Sequence, residues 1–147
     1  MNNKTYGKEN DLNLKVLIKL TRATQKVHKQ EYKTIKKGGL TVSQFGVLEV
    51  LYHKGDLRIR DIIDKTLSTG GNMTVVIDNL EKENLIRRYP DPTDRRATLI
   101  SITEKGKELM DKIFPSHVEN INDIFSVFSE EEKNQLIKLL RKLNRVD

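Results

Sequence analysis

Apolar residues recur along this chain with periods that change several times, and each change marks a new element. From Asp11 to about Lys36, Leu14, Leu17, Ile18, Thr21, Thr24, His28, Tyr32 and Ile35 return at three- and four-residue steps. That is the period of a helix with one apolar face. Gly38 and Gly39 end it, because glycine accepts the left-handed backbone of a helix terminus. Thr41 with Gln44 three residues on forms a capping box, which predicts a second helix with Phe45, Leu48, Leu51 and Tyr52 on its apolar face. Lys54 and Gly55 close it. A short extended piece around Leu57 precedes a two-turn helix over 60–66 with Ile62 and Ile63. After the polar turn at Ser68 and Thr69, Met73, Val76, Ile77 and Leu80 occupy one face of a helix over 72–83.

The period then shortens. Residues 85–89 and 97–102 are rich in β-branched and aliphatic side chains, and the stretch 90–96 between them holds two prolines, two aspartates and Arg95 and Arg96. This predicts a two-stranded hairpin with a charged tip. Thr103 caps the next helix, which carries Leu109, Met110, Ile113, Val118, Ile121 and Ile124 and is expected to kink at Pro115. Ser129 and Glu132 form a second capping box before a last helix with Leu136, Ile137, Leu140 and Leu143. The order is four helices, a hairpin and two helices. The outer helices carry apolar stripes longer than a small central domain covers, which predicts burial against a second subunit.

Composition narrows the setting. The 147 residues are enough for one compact domain, and no run approaches the roughly 20 apolar residues of a membrane span. The polar N-terminal stretch lacks the apolar core of a secretory signal, so the expected location is the cytoplasm. The absence of cysteine excludes disulfides, thiolate metal sites and thiol chemistry. Lys and Arg exceed Asp and Glu by 27 to 21, a net charge of +6 that favours a polyanionic partner such as nucleic acid.

Two segments carry candidate chemistry. A helix entering the major groove needs short polar side chains at its start, and Ser68, Thr69, Gly70, Gly71, Asn72 and Thr74 meet that need. Asn72 suits bidentate pairing with adenine, and Thr74 and Val75 suit a thymine methyl; Asn79 lies on the same outward face. The plainer reading of Ser68, Thr69 and the glycines is capping and chain reversal. In the hairpin, Arg95 and Arg96 suit the narrow, electronegative minor groove, with Asp94 placed to orient the Arg96 guanidinium and with Arg87 and Arg88 on the adjoining strand. Charges of an ordinary solvated turn are the simpler alternative.

The run Leu80, Glu81, Lys82, Leu85, Ile86, Arg87, Arg88, then Asp91, Pro92, Asp94, Arg95, Arg96, Ala97 and finally Ile102, Thr103, Glu104, Lys105, Gly106 resembles the signature of the MarR family. The resemblance covers nearly the whole chain and looks closest to the branch of quinone and electrophile regulators. It implies a mainly α fold with a small β-hairpin wing, in which a winged helix-turn-helix over 41–103 is flanked by dimerisation helices over 11–37 and 104–147. It implies a homodimer on an inverted-repeat operator in double-stranded DNA, usually a repressor released by a small molecule or an oxidant. Asn84 stands where the family usually has glycine, and Asn79 where it often has arginine. The first leaves the turn intact, since asparagine also adopts left-handed backbone; the second puts borrowed operator contacts in doubt.

With no thiol, a reversible ligand is the remaining family mechanism. The resemblance places its pocket among the first, second and fifth helices, which makes His28, Tyr32, Phe45, Tyr52 and Met110 candidates. For each the stronger reading is that of an ordinary core residue. No histidine pair or carboxylate cluster has metal-site spacing, and no nucleophile with a base or phosphate-cradling loop is visible. The expectation is therefore a protein that is not an enzyme, without metal or cofactor. The competing expectation is a winged-helix module that binds protein or RNA through its basic surface.

Overall fold

A computed structural model of the protein describes residues 4–66 and 70–145. Its elements are α1 (Lys8–Lys37), α2 (Val42–Lys54), β1 (Leu57–Arg58), α3 (Ile59–Thr66), α4 (Gly70–Lys82), β2 (Ile86–Asp91), β3 (Asp94–Ile102), α5 (Glu104–Phe125) and α6 (Glu130–Asn144). The protein is mostly helical, with a small antiparallel sheet, as the periodicity predicts. It divides into two compact units, residues 32–119 and residues 1–31 with 120–147.

The unit of residues 32–119 is built around one core. Phe45, Leu48 and Leu51 of α2, Ile62 of α3, and Met73, Val76, Ile77 and Leu80 of α4 pack with Ile86, Ile100, Met110 and Ile113. Those on helices are at positions that the three- and four-residue spacing selects. Thr41 closes α2 with the expected box: its hydroxyl accepts from the Gln44 N–H, and the Gln44 side chain accepts from the Thr41 N–H.

Two sequence expectations are corrected here. The sheet has three strands in the order β1-β3-β2, because the extended piece at Leu57 and Arg58 pairs with Ile100 and Leu99. The hairpin turn is also shorter than 90–96. β2 continues to Asp91 and β3 starts at Asp94, with a register shift at Pro90 and Asp91. Pro90 is tolerated because β2 is an edge strand, where a missing N–H need not face a neighbour. Arg95 and Arg96 therefore lie on β3 and not in a loop. A smaller difference is that α4 starts at Gly70, two residues earlier than predicted. Ser68 and Thr69 lie outside the described residues.

The junction of α4, β2 and α5 is tightly closed. Asn84 has φ 59, and the N–H groups of Asn84 and Leu85 bond to the carbonyls of Glu81 and Leu80. This is the left-handed helix ending that asparagine allows in place of glycine. Thr103 accepts from the Gly106 N–H at 3.0 Å and donates to the Asn84 carbonyl at 2.6 Å, while Lys105 reaches the Glu83 carbonyl. Gly106 sits so close that a Cβ there would come within 2.3 Å of the Leu85 carbonyl oxygen. Only glycine fits such an approach. α5 runs on through Pro115 to Phe125.

In the other unit, the Asn120 amide donates to the Gln30 carbonyl at 2.8 Å and accepts from the Gln30 side chain, tying the end of α5 to α1. The second capping box forms at Ser129 and Glu132 as predicted.

Candidate nucleic-acid interface

α4 divides cleanly into two faces. Met73, Val76, Ile77 and Leu80 are buried, whereas Asn72, Thr74, Val75 and Asn79 point to solvent. The helix is thus held by its apolar face and offers amide, hydroxyl and methyl groups on the other. Val75 is 56% exposed, so its methyl groups are open to an apolar partner such as a thymine methyl. Gly70 and Gly71 form the first turn of the helix.

The arginines of β2 and β3 have different fates. Arg96 is 94% exposed; Asp94 accepts from its backbone N–H at 3.0 Å and lies 3.8 Å from its Nε. Asp94 therefore fixes the backbone of Arg96 more firmly than its guanidinium. Arg95 is exposed as well. Arg87 is exposed and stacks over the Tyr89 ring at 5.1 Å. The Tyr89 hydroxyl donates to Asp56, and that bond raises its pKa. Arg88 is paired instead. It donates to Asp78 and lies 3.7 Å from Glu81, both on α4, so its charge is matched within the protein.

The sequence reading missed Arg58 and Asp91. Asp91 is only 7% exposed, and its two oxygens are fully engaged. One accepts from Arg58 Nε at 3.0 Å and Nη2 at 2.6 Å; the other accepts from the Thr93 N–H at 2.8 Å and hydroxyl at 2.7 Å. These bonds, those to Thr93 foremost, hold the Asp91 carboxyl at a pKa of about 2. The contact shapes the turn that presents Arg95 and Arg96. Its only trace in the sequence is the Asp91, Pro92, Thr93 run, since Arg58 is distant along the chain.

The residues expected to line a ligand pocket are dispersed in role. Phe45 and Met110 are fully core residues, and Tyr32 is 40% exposed. Tyr52 donates its hydroxyl to Asp111, which raises its pKa. His28 is exposed on α1, with Nδ1 3.2 Å from Glu31. A histidine not singled out proves more informative. His117 is 5% exposed, its ring 4.7 Å from Phe45 and 5.7 Å from Phe114. Its Nδ1 is buried without a hydrogen-bond partner. Phe114 also contacts His53 at 4.8 Å and Tyr52 at 6.3 Å. The signal was present: Met110, Ile113, Phe114 and His117 extend one helical stripe, and a histidine within such a stripe is a buried polar group. Among the described residues no group of histidine and carboxylate side chains is placed to hold a metal ion.

Comparison with known proteins places this fold in a family. The MarR family model matches residues 40–98. The chain is 44% identical over 130 residues to the HTH-type transcriptional regulator MhqR of Bacillus subtilis, covering 88% of this chain and 90% of that protein. The chain belongs to the MarR family. Among solved structures, BpsR of Bordetella bronchiseptica, whose DNA binding is regulated by 6-hydroxynicotinic acid, matches with a TM-score of 0.79. It is 28% identical, over 88% of this chain and 98% of that one. Sco3205, a MarR family transcriptional regulator of Streptomyces coelicolor solved in complex with DNA, matches with a TM-score of 0.84 at 20% identity, over 97% and 91%. At that identity it shares the fold. The chain is a DNA-binding transcriptional regulator with a winged helix-turn-helix. No helix among the described residues is long and apolar enough to cross a membrane.

Proposed function

We propose that the protein is a cytoplasmic, non-enzymatic repressor that binds an inverted-repeat operator as a homodimer and leaves it when a small aromatic ligand binds. The observation that carries this reading is the combination of an outward Asn72, Thr74, Val75 and Asn79 face on α4 with the exposed Arg87, Arg95 and Arg96 of the wing. Side chains of the first kind read base edges in the major groove, and arginines of the second kind enter the minor groove.

Dimerisation is supported by what the outer helices leave uncovered. Leu12, Leu14, Val16, Leu17 and Ile18 of α1 and Ile137, Leu139 and Leu143 of α6 are all exposed in the single chain. So much apolar surface on helices is what a second copy buries. A twofold dimer would place two recognition helices about 34 Å apart, one turn of duplex, which makes the operator palindromic.

A ligand that relieves repression must bind the DNA-incompetent state more tightly than the competent one. His117 supports a hydroxylated aromatic ligand, because its unmet Nδ1 lies among flat rings that stack well with one. BpsR, a relative in fold, responds to a ligand of that kind. Selection from a random duplex library followed by footprinting, with sedimentation analysis of the complex, tests the reading. The expected result is one dimer on a symmetric footprint, released by hydroxylated aromatics. A strictly monomeric protein, no duplex affinity at low salt, or preference for single-stranded RNA overturns it.

A further inference from the structure

The positive charge of this chain is not concentrated where the operator reading needs it. Residues 32–119, which contain the winged helix-turn-helix, carry 15 Lys and Arg against 13 Asp and Glu. Residues 1–31 and 120–147 carry 12 against 8, a larger excess on a smaller unit.

Much of that excess lies in one row. Lys15, Lys19, Arg22, Lys26 and Lys29 follow one another at steps of four, three, four and three along α1, so they share a single face of the helix. All five are exposed. From Leu12 to Gln30 there is no Asp or Glu, and among the described residues none of the five is in an ion pair. Like charges at these spacings oppose helix formation, so the row carries a cost that no ion pair among the described residues offsets. It extends about 21 Å along the helix axis, long enough to pass several phosphates of a duplex.

We propose that the cationic face of α1 is a second, sequence-independent surface for the phosphates of duplex DNA, separate from the recognition helix and wing. Charge complementarity selects a polyanion, and two observations select a duplex among polyanions. Between Leu12 and Glu31 there is no Phe, Tyr or Trp, the side chains on which single-stranded bases stack. An anionic bilayer requires the apolar residues of a helix to insert, and the dimer proposed above uses those of α1. Phosphate contacts alone need only an accessible row of cations. The surface adds non-specific affinity and does not depend on which operator is recognised.

Fluorescence anisotropy of a random-sequence duplex of roughly 40 base pairs, titrated with salt, tests this with the full-length protein. One variant neutralises the row (Lys15→Gln, Lys19→Gln, Arg22→Gln, Lys26→Gln and Lys29→Gln); a second keeps its charge (Lys15→Arg, Lys19→Arg, Lys26→Arg and Lys29→Arg). A third removes the wing arginines (Arg95→Ala and Arg96→Ala). The slope of log affinity against log salt should fall in the first by about 0.9 for each phosphate that is no longer neutralised, and by at least about two in all. It should stay at the wild-type value in the second, which controls for folding. The third should retain salt-dependent duplex binding. A wild-type slope in the glutamine variant overturns the proposal, as does loss of all duplex binding in the wing variant. So does capture by phosphatidylserine vesicles that disappears in the glutamine variant while its duplex slope is unchanged. If the wild-type protein binds no duplex, the operator reading falls as well; if only the glutamine variant behaves as wild type, this inference alone falls.

Discussion

Arginines of the same chemical kind serve three purposes within one small sheet. Arg96 projects into solvent, Arg88 is paired to Asp78 and Glu81, and Arg58 holds the nearly buried Asp91. Pairing decides what each contributes. Arg88 neutralises two carboxylates on α4, the helix that the proposed function sets against a polyanion. Arg88→Ala is therefore expected to weaken duplex binding, and Asp78→Asn in the same chain to restore most of the loss. A direct phosphate contact by Arg88 would show no such rescue in an anisotropy titration. Asp91 yields a pH prediction. Its folded pKa of about 2 lies below the ordinary 3.8, so the charged form is favoured by folding. The stabilisation is present above about pH 4 and is lost as pH falls through about 2. Asp91→Asn should lower the melting temperature at pH 7, with the difference from wild type shrinking across that acid window in thermal scans.

Elements in this protein are bounded by short local devices that can be tested one at a time. The capping boxes at Thr41 and Ser129 were legible as sequence because they join residues three apart, and the structure contains both. The left-handed Asn84 was legible from the family resemblance, because it stands at a position where glycine is usual and asparagine accepts the same backbone. What Gly106 does was not, although it stood in the family signature. Its restriction comes from the Leu85 carbonyl, which the turn after α4 brings beneath the first turn of α5. Gly106→Ala is expected to destabilise the protein by at least about 1 to 3 kcal/mol, since the obstacle is backbone and cannot rotate away. Chemical denaturation measures it; an unchanged midpoint would show that the two segments part easily. The length of the hairpin turn was misjudged because Pro90, Asp91 and Pro92 all favour turns locally, yet pairing across the strands carries regular structure to Asp91 and Asp94.

For the whole molecule, the apolar stripes of α1 and α6 stand out as exposed among the described residues. Leu139 is 62% exposed, so a charged side chain there disturbs no core of the single subunit. Leu139→Glu combined with Leu143→Glu is expected to shift the protein from dimer to monomer in sedimentation velocity, while its far-ultraviolet circular dichroism is kept. Duplex affinity should fall with it, because two recognition helices held together bind far more tightly than one. A variant that stays dimeric would move the interface away from α6.

The spacing of apolar residues, the caps and the turn residues determined where the helices and strands lie, because those signals act between neighbours along the chain. They also marked which face of α4 is outward and that the hairpin carries arginines. Which arginine is free and which is consumed depended on the third strand at Leu57 and Arg58, on the pairing of β2 with β3, and on the packing of α4 beside β2. The same holds for the unmet nitrogen of His117, whose surroundings come from α2 and α5 together. Charges and polar atoms take their character from whatever folding sets within a few ångströms of them, and that company is assembled from residues far apart in the sequence.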